Sequence, residues 1–124
     1  MKVELRPNNV EVTFLHKNGF YAILSNDLAY IVNDMPITVP SGFITDFASV
    51  PRIFWSIYSP IGPWSVGAIL HDYIYSIECE LTIHRKLADD MFYAVMRDCG
   101  TSKFTAYIMY LSVRLFGKSY WKEA

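Results

Sequence analysis

Apolar and polar positions alternate through the first third of this chain and fall into helical spacing in its second half. Residues 10–16 alternate, with Val10, Val12 and Phe14 on one face. Asn18-Gly19 follows, a hairpin dipeptide because both residues accept positive φ. Residues 20–24 read as the partner strand, Asn26-Asp27 as a turn and 28–32 as a third strand. Asn33-Asp34 turns again before 37–39, and Pro40-Ser41-Gly42 closes what reads as a small antiparallel β-meander.

Helical signals begin after it. Ser49 is placed to cap a short helix over 50–58, with Pro51 in its first turn. Pro60-Ile61-Gly62-Pro63 breaks that helix. Three longer helices follow, at about 64–78, at 83–98 with Thr82 as cap and Gly100 as stop, and from a Thr101 or Ser102 cap to Gly117. In the last of these, Phe104, Tyr107, Ile108, Leu111 and Leu115 recur at i, i+3, i+4, i+7 and i+11, which reads as a core-facing stripe. The expected architecture is α+β: one domain over 1–124, with a sheet region over 1–42 and a short helix and three-helix bundle over 43–117.

Composition adds limits. The 124 residues are 52% hydrophobic and 16% aromatic, enough for a core and unlike a disordered chain. A net charge of −1 without a basic cluster argues against a nucleic-acid partner. Two cysteines, Cys79 and Cys99, fall near opposite poles of adjacent helices and are expected to be free thiols in a reducing compartment. The first residues lack the apolar core of a secretory signal, so export through one is not expected. Residues 53–70 carry no charge, but two prolines around Gly62 interrupt them. They read as two core-facing pieces around a turn and not as a transmembrane segment. The alternative is a lipid-touching surface with Trp55, Ile57, Tyr58 and Trp64.

Chemistry concentrates in two short patterns, His71-Asp72-Tyr73-Ile74-Tyr75 and Arg85-Lys86-Leu87-Ala88-Asp89. His71 and Tyr75 share a helix face at i, i+4, as do Arg85 and Asp89. Counted from the connecting turn, His71 and Asp89 lie at similar heights on antiparallel helices. A carboxylate accepting Nδ1–H would leave Nε2 as acceptor and stabilise the imidazolium formed when a proton is taken, which equips a general base acting on water. Tyr75 could hold Asp89, and Arg85 could pair with it. Asp72, turned about 100° from His71, could hold a divalent cation with loop oxygens. Asp46 either joins that site or braces the helix start beside Ser49. A His–carboxylate pair between packed helices also satisfies two buried polar groups without any chemistry. His16 and His84 read as turn residues.

The run Val39-Pro40-Ser41-Gly42-Phe43-Ile44-Thr45-Asp46-Phe47-Ala48-Ser49-Val50-Pro51-Arg52, with Trp55, His71-Asp72-x-x-Tyr75 and Arg85-x-x-Ala88-Asp89-x-x-Phe92, resembles a family of small phage and prophage proteins of unassigned function. His71-Asp72-x-x-Tyr75 with Ala88-Asp89-x-x-Phe92 is also similar to the catalytic helix pair of phospholipases A2, especially the compact type embedded in parvovirus capsid proteins. That resemblance implies His71 as water-activating base, Asp89 and Tyr75 as its orienting pair, Asp72 as a calcium ligand and a lipid or other ester as substrate. The glycine-rich calcium loop of that family corresponds here to 58–63, which holds one glycine. The expectation is therefore a phage-encoded, phospholipase A2-like hydrolase using a His–Asp base with Ca²⁺ at Asp72 and Asp46. The alternative is a non-enzymatic virion or tail accessory protein, or an inhibitor that binds a host protein, in which the His–Asp pair is structural.

Overall fold

In a computed structural model the chain is described over residues 3–6, 11–15, 21–47, 50, 62–77, 79 and 83–122. Six short strands precede three helices: β1 Val3–Arg6, β2 Val12–Leu15, β3 Tyr21–Leu24, β4 Leu28–Val32, β5 Met35–Val39, β6 Ile44–Thr45, α1 Ser65–Tyr75, α2 Arg85–Asp98 and α3 Lys103–Phe116. A 3₁₀ turn over Gly117–Tyr120 extends α3. The fold is α+β, as its pattern implies.

The strands form two antiparallel three-stranded sheets, in the orders β1-β4-β5 and β2-β3-β6, where a single meander was expected. β4 and β5 make a tight hairpin with Val32 opposite Met35. Its turn residues Asn33 and Asp34 have φ of 50° and 65°, the left-handed pair that matches strand twist. Leu28, Tyr30 and Val32 of β4 and Ile37 and Val39 of β5 are buried, so the period-2 pattern turns one face to the core. Pro36 sits on edge strand β5, where its missing N–H costs nothing.

The meander divides at Asn26-Asp27, because these side chains bond distant backbone and do not close a hairpin. Asn26 Oδ1 accepts from the Glu11 amide at 3.0 Å. Asp27 Oδ1 accepts from the Ser41 amide at 2.8 Å. The chain thus crosses from one sheet to the other between β3 and β4. It returns through Gly42, whose φ of 89° allows the turn, to add β6 beside β3. β1, which pairs with β4 from Val3↔Val32 to Arg6↔Ala29, was not anticipated.

The helices follow the pattern with adjusted ends. α1 ends at Tyr75, earlier than expected, where the Ser76 hydroxyl donates to the Tyr73 carbonyl at 2.7 Å. α2 begins at Arg85 and stops before Gly100, whose φ is 97°. Ser102 caps α3 by accepting from the Thr105 amide at 3.3 Å, and Gly117 ends it. Among the described residues no helix is long and apolar enough to cross a membrane. The expected strand turn at Asn18-Gly19, the short helix and its cap Ser49, Thr82, Trp55, Ile57 and Tyr58 lie outside the described residues.

The stripe expected to face the core from α3 does not. Its buried residues are Thr105, Ala106, Met109, Ser112 and Val113, whereas Phe104, Tyr107, Leu111 and Leu115 are exposed. Periodicity identifies residues that share a face but not which face turns inward. Here the small inner residues let α3 approach α2 closely, and polar contacts near its C-terminal end fix its rotation.

α1 and α2 also cross closely. A Cβ at Gly67 would lie 3.0 Å from Met96 Cγ and 3.3 Å from the Phe92 ring. Gly67 lies one turn before His71, and Phe92 nearly one turn after Asp89, so this approach sets the distance between the two. Replacing Gly67 by valine should therefore destabilise the fold by about 1–3 kcal/mol, measured by urea denaturation. Stability equal to the parent chain would show that the crossing tolerates added volume.

Candidate functional site

α1 presents His71 and Tyr75 to α2, and α2 returns Asp89. His71 Nε2 lies 2.7 Å from Asp89 Oδ1. The Tyr75 hydroxyl donates to the same oxygen at 2.5 Å. The other oxygen, Oδ2, accepts from Arg114 Nη1 at 2.8 Å and has Arg85 Nη1 at 3.6 Å. His71 is 3% exposed and Asp89 0%. A buried carboxylate is tolerated only when paired and hydrogen-bonded, and this one has donors on both oxygens.

Arg85 does more than face Asp89. Its Nη1 donates to the Tyr75 hydroxyl at 3.2 Å and to the Val113 carbonyl at 3.0 Å. Its Nη2 donates to the Arg114 carbonyl at 3.3 Å, so one guanidinium caps the end of α3 and braces the tyrosine. Gly117 makes room for this packing: a Cβ there would stand 3.1 Å from the Tyr75 hydroxyl.

Burial pushes the Asp89 carboxyl up, but hydrogen bonds from His71, Tyr75 and Arg114 outweigh it and hold the group below the usual carboxylate range. Burial, then the adjoining Asp89 charge, pushes the Tyr75 phenol well above its ordinary value, so it remains a donor. An ionised carboxylate only accepts, so the His71 proton must reside on Nε2. In the neutral ring Nδ1 is then the acceptor. This reverses the expected orientation, in which Asp89 would take Nδ1–H and leave Nε2 to act. The imidazole is held between the rings of Tyr75, 4.1 Å away, and Phe92, 4.7 Å away.

The buried cluster adjoins a cleft of about 390 Å³. His71, Asp72 and Tyr75 line it from α1, Thr45 and Asp46 from β6 and the residue after it, and Tyr120 from the 3₁₀ turn. Asp72 Oδ2 accepts from the Thr45 hydroxyl. Thr45 Oγ1 in turn accepts from the Phe47 amide at 3.1 Å. Phe47 is buried with φ of 57°, a left-handed conformation unusual for a bulky residue. The Asp72–Thr45–Phe47 chain therefore ties β6 to α1 and shapes the wall that carries exposed Asp46.

His71, Tyr75, Asp89 and Arg85 thus come together as one cluster, while Asp72 and Asp46 stand in the adjoining cleft. Ser49 lies outside the described residues. Thr45 and Arg114 were not anticipated, and Gly117 was expected as a helix stop but not beside the site. Arg114 interrupts an otherwise apolar helix end, which is a sequence signal for a buried partner. Thr45 and Gly117 carry no comparable mark.

A calcium ion needs six to eight oxygens. Among the described residues no three histidine, cysteine or acidic side chains cluster to hold a metal. One Asp72 oxygen is taken by the Thr45 hydroxyl.

An α+β scaffold with a buried carboxylate-bound histidine at the wall of a cleft is the class of protein this defines. The chain belongs to the family described as proteins of unknown function (DUF1353), which it matches over residues 22–113, well over half its length. The match takes in Thr45, Asp46, His71, Asp72, Tyr75, Arg85 and Asp89 and stops one residue before Arg114. No curated protein and no solved structure matches the chain.

The lowered Asp89 value fixes a pH dependence. Its ionised form contributes stability above the unfolded carboxylate value of about 3.9, and that contribution is lost as pH falls below it. Acid should therefore destabilise the parent chain, and Asp89→Asn should flatten the stability curve between about pH 5 and pH 2. At neutral pH Asp89→Ala should cost about 3–5 kcal/mol, because two arginines lose their partner. Denaturant titrations across pH check both expectations.

Proposed function

We propose that this protein is a phage- or prophage-encoded hydrolase in which His71 activates water for attack on an ester. The observation that supports it most is that the histidine bound to buried Asp89 also lines the cleft. A cleft with few, convergent polar groups is the ordinary setting of an active site. The apolar wall from Phe43, Ile44, Val113 and Tyr120 suits an acyl chain. The specific substrate suggested by the helix-pair resemblance is a phospholipid.

In this reading water entering the cleft gives a proton to Nδ1 as its oxygen attacks the carbonyl carbon. The imidazolium is stabilised by Asp89 through Nε2–H, with Tyr75 holding the carboxylate. Collapse of the tetrahedral intermediate breaks the bond to the leaving alkoxide, which takes the proton back from Nδ1. The products are an acid and an alcohol, and His71 returns to its starting state. Asp72 acts by holding Thr45 and the cleft wall.

A second reading is favoured by one observation: both Asp89 oxygens are filled by donors from this chain. In it the cluster only joins the three helices, and the protein works as a virion or tail accessory part or by binding a host protein.

Hydrolysis of short- and medium-chain ester panels and of phospholipid vesicles, with and without calcium, separates the two readings. The hydrolase should turn over one of these classes, and His71→Ala should lower the rate about 10²–10⁴-fold with folding retained by circular dichroism. Turnover unaffected by His71→Ala, or none across the panel, would contradict the hydrolase reading.

A further inference from the structure

The most regular apolar stripe in the chain is not used by its own core. Phe104 and Leu115 are each 71% exposed, Tyr107 53% and Leu111 38%. They line one side of α3, roughly 150° around the helix from the buried residues Thr105, Ala106, Met109, Ser112 and Val113. Beside this ridge, between α2 and α3, is a hollow of about 830 Å³. Tyr93, Tyr107 and Tyr110 line it. Their rings lie in sequence, with centroids of Tyr93 and Tyr110 6.1 Å apart and of Tyr107 and Tyr110 6.3 Å apart.

We infer that this face of α3 binds a second copy of the chain, with two α3 helices antiparallel across a two-fold axis. A two-fold contact pairs each patch with its counterpart on the same surface of the partner. An axis through the middle of the ridge sets the two ridges against each other, with the tyrosine-lined hollows flanking the contact. The stripe is nearly symmetric under reversal of the helix: Phe104 meets Leu115 of the second copy, and Tyr107 and Ile108 meet Leu111. The hollow's rim holds Asp90 and Asp98 against Arg97 and Lys103, so its charges balance. The net charge of −1 adds little repulsion between copies.

The area is consistent with a weak dimer. Side-chain areas of about 150–250 Å² for the aromatic rings, scaled by these exposures, give on the order of 400 Å² of apolar surface per copy in the ridge. With the hollow walls a two-copy contact comes to on the order of 1,000 Å², below the range of stable interfaces and in that of weak ones. An exposed apolar patch of this size lies within the roughly 300–600 Å² of the largest patch on a typical monomer, a patch that is often functional. None of the ridge residues lines the cleft at His71, so dimerisation does not depend on the hydrolase reading.

Sedimentation velocity on the full chain tests this. The parent should shift from monomer to dimer with a midpoint on the order of tens of µM. Phe104→Glu/Leu115→Glu should stay monomeric throughout that range with an unchanged circular dichroism spectrum and melting temperature. Tyr107→Lys, a single change at an exposed position, should weaken association at least tenfold and serves if the double variant is misfolded. A parent chain that is monomeric across the range, or folded variants that dimerise like the parent, would overturn the inference.

Discussion

One buried carboxylate organises the helical half of this protein. Asp89 is taken out of water completely, a cost of several kcal/mol unless it is repaid by neighbours. The neighbours come from all three helices: His71 and Tyr75 from α1, Arg85 from its own helix and Arg114 from α3. None can be displaced without leaving a charge or a donor unsatisfied. The rotation of α3 follows, because Arg114 must reach Oδ2 and Arg85 must reach the Val113 carbonyl. The exposure of the Phe104–Leu115 stripe is the consequence on the opposite side.

The same carboxylate gives the histidine a defined chemical state. With Nε2 committed as donor, the acceptor of the neutral ring is Nδ1, and the Tyr75 and Phe92 rings pack against the imidazole. The sheet half of the fold contributes the facing wall. β6 is only two residues long, yet Thr45 on it bonds Asp72 and the Phe47 amide, so a strained turn is held over the cleft. Helices set the buried half of the site and the β6 segment sets its open half.

Much of this was legible in the chain. The i, i+4 spacing of His71 with Tyr75 and of Arg85 with Asp89, together with the shortness of the connection, brings the four side chains to one height. Helix limits at Ser102, Gly100 and Gly117 follow from capping chemistry. The rest depended on partners far away in sequence. Asn26 and Asp27 look like a hairpin turn, but their oxygens bond Glu11 and Ser41, and that divides the sheet. Which imidazole nitrogen meets Asp89 depends on the side from which α2 approaches, and spacing along α1 does not encode it. The α3 stripe was readable as a face and not as an outward one, since contacts of α3 with Asp89, Arg85 and Asp90, distant in sequence, bear on its rotation. The bond from the Thr45 hydroxyl to Asp72 joins residues 27 positions apart, and no spacing within α1 announces it.

Long-range ¹H–¹⁵N NMR of the imidazole nitrogens tests the central claim most directly. In the neutral ring His71 should carry its proton on Nε2, with Nδ1 unprotonated, and Asp89→Asn should disturb this tautomer. A His71 ring protonated on Nδ1, or one indifferent to Asp89, would contradict it.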